Sequence, residues 1–187
     1  MPEMTPFRVT ICGIDELPSH CTVGVTHVLS ILDPGWPEPA AFAAYDPHRR
    51  LELRFHDVIE QHAGYILPEQ GDVERLLGFG RDLGEGHLLV HCHAGVSRST
   101  AAAMLILAQA RPDRSAAEAV QAVVAQRPRA WPNLRIVELG DALLRRDGEI
   151  VAAVGDHYRR ALARDPWLED AMLEGGRARE VAQARQP

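Results

Sequence analysis

The sequence predicts an α/β domain: a central, mostly parallel sheet of about four to five strands flanked by helices. Three observations carry this. Short runs rich in branched apolar residues alternate along the chain with longer alanine- and leucine-rich stretches. One stretch, residues 86–91 (GHLLVH), holds a compact apolar run behind two glycines, as a strand buried on both faces of a parallel sheet does. The chain has 187 residues, 46% hydrophobic and 25% charged, an ordinary globular composition long enough to bury a core without disulfides or metals.

Residues 7–14 (FRVTICGI) and 26–32 (THVLSIL) read as strands. Residues 33–48 hold four prolines and one glycine, so no single regular element fits there, and loops of this length often carry function. Residues 51–55 alternate apolar and charged, as a half-buried strand does, and an irregular stretch follows. Pro68 and Glu69 open a helix with an apolar stripe at Val73, Leu76, Leu77 and Leu83, weakened by Gly78 and Gly80. Residues 98–110 (RSTAAAMLILAQA) make a buried helix that stops before Pro112. Ser115 and Glu118 form a capping box for the next helix, which Pro128 ends. Residues 133–146 give an amphipathic helix through Leu134, Val137, Leu139, Leu143 and Leu144. Beyond Gly148 the composition shifts to seven acids and six arginines over 149–186, which predicts one or two surface helices fraying near Gly175-Gly176. The expected organisation is a main domain over 1–147 with a helical extension, 148–187, packed on it.

Composition excludes several functions. All 20 basic residues are arginine, so neither a lysine Schiff base nor a Walker-type nucleotide loop is available. A net charge of −6 argues against nucleic acid or an anionic membrane as partner. Three cysteines, Cys12, Cys21 and Cys92, do not make a disulfide framework, and Cys12 and Cys21 read as small buried residues of the first strands rather than redox partners. No apolar leader follows the opening MPEMTPFRVT, and the longest apolar run, Ala101 to Ala108, falls short of the ~20 residues of a membrane span. A soluble cytoplasmic setting is the expectation.

The chemistry concentrates in His91-Cys92-His93-Ala94-Gly95-Val96-Ser97-Arg98-Ser99, between a buried strand and a buried helix. A short loop entering a helix N-terminus aims backbone N–H groups at one point, and the helix dipole adds positive potential there. An anion belongs in such a nest. Gly95 permits a backbone conformation that a side chain would block. Arg98 can bind a tetrahedral oxyanion with its planar fork. Cys92 lies at the base, where the field that holds an anion also favours the thiolate, so a nucleophile faces a bound phosphoryl group.

This segment resembles the signature of the cysteine-dependent protein tyrosine phosphatases: His-Cys, five residues, Arg, then Ser or Thr. Ala-Gly and Ser-Arg-Ser are similar to the dual-specificity branch, and within it to a bacterial member. A weaker likeness runs from about residue 22 to about residue 146, including RPRAWPN downstream of the loop. The resemblance implies a two-step hydrolysis through a phosphocysteine at Cys92, within a phosphatase domain over 1–147. It implies that His93, Ala94, Gly95, Val96, Ser97 and Arg98 surround the phosphate, that Ser99 steadies the departing thiolate, and that His91 braces the loop. It also implies a general acid some thirty-odd residues before the cysteine. Asp57, 35 positions upstream and directly after a strand, is the choice. Asp33, Asp46, Asp72 and Asp82 fit less well, and His56, Glu60 and His62 are backups. Asn133 is expected to cap a helix. Trp36 and Tyr45 are candidates for a substrate groove or for plain packing.

Two rival classes remain. A zinc site could draw on His91, Cys92, His93, His20, Cys21 and Cys12, but successive strand residues point to opposite faces, and no C-x-x-C pair exists. No metal and no cofactor are expected. A non-catalytic phosphate-binding module is the second, disfavoured because the cysteine, the arginine and an acid are all present. Within the same chemistry a phosphoinositide or inositol-phosphate phosphatase is the alternative, although Ala94, Val96 and Ser97 add no charge for a highly anionic substrate. The expected partner is a phosphorylated protein, most of all on tyrosine, or a small phosphomonoester.

Overall fold

The computed structural model describes residues 5–186, so residues 1–4, where the expectation about a leader begins, lie outside it, as does Pro187. Four strands, β1 (Arg8–Cys12), β2 (His27–Leu32), β3 (Arg49–Arg54) and β4 (His87–His91), form one sheet of order β1-β4-β2-β3. All three pairings are parallel. The register sets Cys12 beside His91 and Ser30 beside His91, so the C-terminal ends of β1, β4 and β2 meet at one edge. Ligands of open parallel sheets bind beyond that edge.

Alternation along the strands divides the core. Leu29, Ile31, Leu88 and Val90 face a thick helical layer, whereas Val28 and Leu89 face the other side with Leu17, Val25 and Phe42. The helical layer holds α1 (Gln70–Arg81), α2 (Arg98–Ala110), α3 (Ala116–Gln126), α4 (Leu134–Leu144) and α5 (Glu149–Arg164). The thin face is covered by two 3-10 segments, Ile14–His20 and Ala40–Ala44, the second inside the proline-rich stretch. α2 is the central helix: residues 98 to 108 are buried without interruption, which its run of alanines allows. The Ser115–Glu118 box caps α3, and Asn133 caps α4 by accepting the Ile136 N–H at 3.1 Å. No helix among the described residues is long and apolar enough to cross a membrane.

The end of the chain departs from expectation. Three helices, not one or two, follow Gly148: α5, α6 (Trp167–Glu174) and α7 (Ala178–Ala184). α5 is not a surface helix on its inner side, because Ile150, Val154, Tyr158 and Ala161 recur at helical spacing and are buried. Tyr158 is fully buried, stacks on Trp131 with ring centroids 4.4 Å apart, and donates its hydroxyl to the Pro132 carbonyl. Nor does the chain fray at Gly175-Gly176. Gly176 takes φ +73°, and the Arg177 N–H returns to the Met172 carbonyl at 2.8 Å, closing α6 with a defined turn.

Gly140 lies where α4 packs on α2, and a Cβ there would stand 2.2 Å from Leu105 Cδ1. Gly140→Ala gains about 1 kcal/mol of helix propensity, against ~1–3 kcal/mol for overpacking a buried site. A net loss of about 1 kcal/mol is expected in urea denaturation. An unchanged or raised midpoint would show that Leu105 has room to turn away.

Candidate active site

Residues 92–97 join β4 to α2, and the geometry of their backbone is set from outside. The His93 carbonyl accepts from the Ile14 N–H at 2.9 Å. The carbonyls of Ala94 and Gly95 accept from Arg127, through Nη2 at 3.1 Å and Nε at 3.0 Å. The Val96 carbonyl accepts from the Trp131 N–H at 2.9 Å and Thr100 Oγ1 at 2.6 Å, and the Ser97 carbonyl from the Ala101 N–H at 3.0 Å and Thr100 Oγ1 at 2.8 Å. The amides of residues 93–98 donate to no described residue. A loop whose carbonyls are all held outward turns its N–H groups toward the common centre, which is an anion nest.

Two glycines make this packing possible. Gly95 has φ +69°, and a Cβ on it would lie 2.5 Å from the Cys12 carbonyl carbon. On Gly13 a Cβ would lie 2.9 Å from the His93 oxygen. Glu16 completes the brace: its Oε2 accepts the Gly13 N–H at 2.6 Å, and its carboxylate pairs with Arg127 Nη1 at 2.8 and 3.0 Å. The hydrogen bond from Arg127 holds the Glu16 carboxyl below its usual range.

At the base of the nest Cys92 is 2% exposed, and its Sγ lies 3.2 Å from Ser99 Oγ. Arg98 is equally buried. Its Nη1 donates to the Phe55 carbonyl and to Asp33 Oδ1, both at 2.6 Å, while Nε has no partner among the described residues. His91 points to the other face of the sheet, toward Phe42, and its Nε2 lies 2.6 Å from Ser30 Oγ. Burial pushes its pKa down to about 4, so the ring is neutral at ordinary pH. His91 and Cys92 therefore do not converge, and among the described residues no three His, Cys, Asp or Glu side chains gather as metal ligands. His93 stands at the wall, its Nε2 3.2 Å from the Asp33 N–H and its ring edge-on to Trp36 at 4.4 Å.

Asp57 faces the nest. Its Oδ1 accepts from Ser97 Oγ at 2.8 Å and Asn133 Nδ2 at 2.9 Å, and forms an ion pair with Arg177 Nη2 at 2.8 Å. Burial would raise the pKa of this carboxyl, but Arg177, then Arg98 and the bonds from Asn133 and Ser97, outweigh it and hold the pKa below its usual value. Arg177 bridges two acids, because its Nη1 also donates to Glu180 Oε1 at 3.0 Å. Glu180 is fully buried and accepts from Leu134 N at 3.0 Å and from Trp131 Nε1. Burial, opposed by Arg177 and these donors, pushes its pKa up to about 7.

Asp57, Cys92, His93, Ala94, Val96, Ser97 and Arg98 thus line one cavity of about 390 Å³, with Trp131, Met172 and Arg177 among its other walls. Gly95 and Ser99 support it from behind. Asp46, Glu60, His62, Asp72 and Asp82 do not line it; Asp72 caps α1, and Asp82 pairs with Arg49 at 3.7 Å. Neither does His56, whose Nδ1 accepts the Ile66 N–H at 2.9 Å. Tyr45 packs on Phe42 and donates to the Leu17 carbonyl, whereas Trp36 reaches the site through His93. Cys12 is buried, and burial first of all pushes its thiol up to about 12; Cys21 lies after the first 3-10 segment, not on a strand. Sequence reasoning missed Arg127 as the brace, Asp33 as a partner of Arg98, the second bond made by Asn133, and the Arg177–Glu180 pair. Only Asn133 and Arg127 had a signal, their place in RPRAWPN.

No family model matches the sequence, and no curated protein does. Among solved structures, human DUSP28 is 19% identical, with 77% of this chain covering 98% of that one at a TM-score of 0.57. DUSP15 is 24% identical, with coverage of 79% and 93% and a TM-score of 0.55. PTPMT1, solved in complex with PI(5)P, is 15% identical, with coverage of 77% and 94% and a TM-score of 0.56. The chain has the fold of the dual-specificity and protein tyrosine phosphatases.

Gly95→Ala tests the nest without touching a polar group. The added methyl meets the Cys12 backbone, so the loop must move. We expect phosphate or vanadate affinity, read by calorimetry, to fall at least ~tenfold, the cost of losing one or two good anion contacts. Unchanged affinity would mean that the amides of this loop do not hold the anion.

Proposed function

We propose that the protein is a cysteine-dependent phosphatase that hydrolyses phosphate monoesters, chiefly phosphotyrosine and secondarily phosphoserine or phosphothreonine on proteins, through a phosphocysteine on Cys92. The observation that carries this reading is the nest itself. Its carbonyls are bound outward, a buried cysteine lies at its base beside Ser99, and a buried arginine at its edge keeps Nε free of partners among the described residues. The likeness of fold to phosphatases supports it.

The steps follow from the positions. The amides of the loop and Arg98 hold the three non-bridging oxygens, and their hold tightens as charge develops in the transition state. Cys92 Sγ attacks phosphorus, the P–O bond to the leaving group breaks, and Asp57 gives that oxygen a proton. Oδ1 is taken by two donors and the Arg177 ion pair, so Oδ2 is the oxygen that carries the proton. Asp57, now a carboxylate, takes a proton from water as it attacks the phosphocysteine, and the Ser99 hydroxyl stabilises the departing thiolate. The apolar walls Val96, Trp131 and Met172 suit an aromatic ring better than a polyphosphate. The same chemistry on a phosphoinositide is the second reading, favoured by the fold shared with PTPMT1 in complex with PI(5)P.

Cys92→Ser should keep vanadate or phosphate binding yet lose turnover of an aryl phosphate; substantial remaining turnover would sink the mechanism. Comparing phosphotyrosine peptides with phosphoinositides at equal concentration separates the two substrate readings.

Asp57→Asn should lose ~10²–10⁴ in kcat on phosphotyrosine, the range of a general acid. On a phenol so acidic that it departs without a proton it should lose far less. Because Arg177 and the other donors lower the Asp57 pKa, the proton is present only at low pH. Wild-type kcat/KM on phosphotyrosine should therefore fall as pH rises on the basic limb, and Asp57→Asn should flatten that limb. Equal losses on both substrates, or a larger leaving-group-dependent loss in Asp33→Asn, would assign the acid to another residue.

A further inference from the structure

Arg177 is an unusual neighbour for a proton donor. It comes from the turn between α6 and α7, 120 positions from Asp57 in sequence. Its Nη2 donates to the Asp57 carbonyl at 2.9 Å and stands 2.8 Å from Asp57 Oδ1 as an ion pair, so it fixes the backbone as well as the carboxylate. Behind it Glu180, with no exposed surface, holds Nη1 at 3.0 Å and is itself anchored to the first turn of α4 and to Trp131. The Gly175-Gly176 turn aims the side chain, which is only 13% exposed. A surface ion pair would not need two carboxylates, a buried anchor and a shaped turn.

We propose that Arg177, braced by Glu180, is the positioning residue of the acid, so that the acid half of the site is completed by the segment 165–186. This rests on the reading of Asp57 given above. The grip has two consequences. Oδ1 is held by Arg177 together with Ser97 and Asn133, which turns Oδ2 to the leaving group in one orientation. The guanidinium also favours the carboxylate over the acid, which suits the second step, where a base is needed, and confines the first step to lower pH. The groups facing Asp57 are Arg177 from the turn before α7, Glu180 from α7, Arg98 from the start of α2, His93 from the loop and Tyr158 from α5. Of these, Arg177 is the cation with the greatest effect on Asp57.

The test is the pH profile of kcat/KM on phosphotyrosine for wild type, Arg177→Gln, Arg177→Lys, Asp57→Asn and the double variant Arg177→Gln/Asp57→Asn, all full length. Removing the cation weakens the carboxylate form, so in Arg177→Gln the basic limb should move to higher pH. Its kcat at the optimum should fall by about tenfold, part of the ~10²–10⁴ that a general acid supplies, and less on a very acidic phenol. Arg177→Lys keeps the charge but cannot bridge both acids, so its limb should stay near that of wild type while kcat drops. It also serves as the test should Arg177→Gln fail to fold. In the Asp57→Asn background Arg177→Gln should cost little more. Arg179→Gln, on the exposed side of the same helix, is the control. A basic limb unmoved in Arg177→Gln, or an equal cost with and without Asp57, overturns the proposal while leaving Cys92-dependent turnover intact. Wild type without Cys92-dependent turnover overturns instead the reading of the phosphatase itself, and this proposal with it.

Discussion

The outward binding of five successive carbonyls, from His93 to Ser97, is the constraint on which this molecule is arranged. A six-residue loop has no reason of its own to turn every N–H the same way. It does so because Ile14, Arg127, Trp131, Thr100 and Ala101 each take a carbonyl. These partners come from the segment after β1, from α2 itself and from the return of the chain between α3 and α4. The sheet order follows the same need: β1 must lie beside β4 for Ile14 to reach His93, and the backbone at Cys12 and Gly13 must come so close that neither Gly95 nor Gly13 tolerates a Cβ. A parallel pair delivers both chain ends to one edge, which an antiparallel pair would not.

What could be read in the sequence was what is local. The buried run of β4, the alanine-rich α2, the capping box of α3 and the spacing of Cys92, Gly95 and Arg98 are all fixed by residues close together in the chain, and each is where the sequence places it. Asn133 was legible as a cap for the same reason. The pairings of distant residues were not. RPRAWPN marked the neighbourhood of Arg127, but not which carbonyls it binds, and Arg177 looks like any other arginine in a chain whose 20 basic residues are all arginine. Asp33 is more distant from Cys92 in sequence than Asp57 and adjoins a proline, so it fits less well as the acid, yet just past β2 its carboxylate pairs with Arg98. The charged composition after Gly148 hid the inner stripe of α5, although Ile150, Val154, Tyr158 and Ala161 carry helical spacing. There the average polarity misled, and the periodicity held the information.

The balance of charge inside the cavity bears on which anion it can hold. Of the charged side chains only Asp57, Arg98 and Arg177 line it, and both arginines are already paired, Arg98 with Asp33 and Arg177 with Asp57 and with Glu180 behind the wall, so the side chains supply little unpaired positive charge. On the proposed reading, what attracts the anion is the ring of amides and the start of α2, which are dipoles and cannot titrate away. Such a ring suits a single phosphoryl group, and the neighbouring walls Ala94, Val96, Trp131 and Met172 add no charge for a second.

Arg98 shows how this arrangement keeps its reorganisation small. An arginine waiting in solvent would have to lose side-chain entropy when the anion arrives. Here Nη1 is already fixed by the Phe55 carbonyl and Asp33, and the stem is buried. The unpartnered Nε costs the free protein some stability, since a buried donor without an acceptor is unfavourable by about 1–3 kcal/mol. A phosphoryl oxygen placed there relieves that cost without displacing the contacts at Nη1. On the proposed reading, this donor is held before the anion binds, as preorganised electrostatic stabilisation requires. The Arg177–Asp57–Asn133 cluster then applies the same logic to the acid, fixing one carboxylate oxygen and leaving the other for the leaving group.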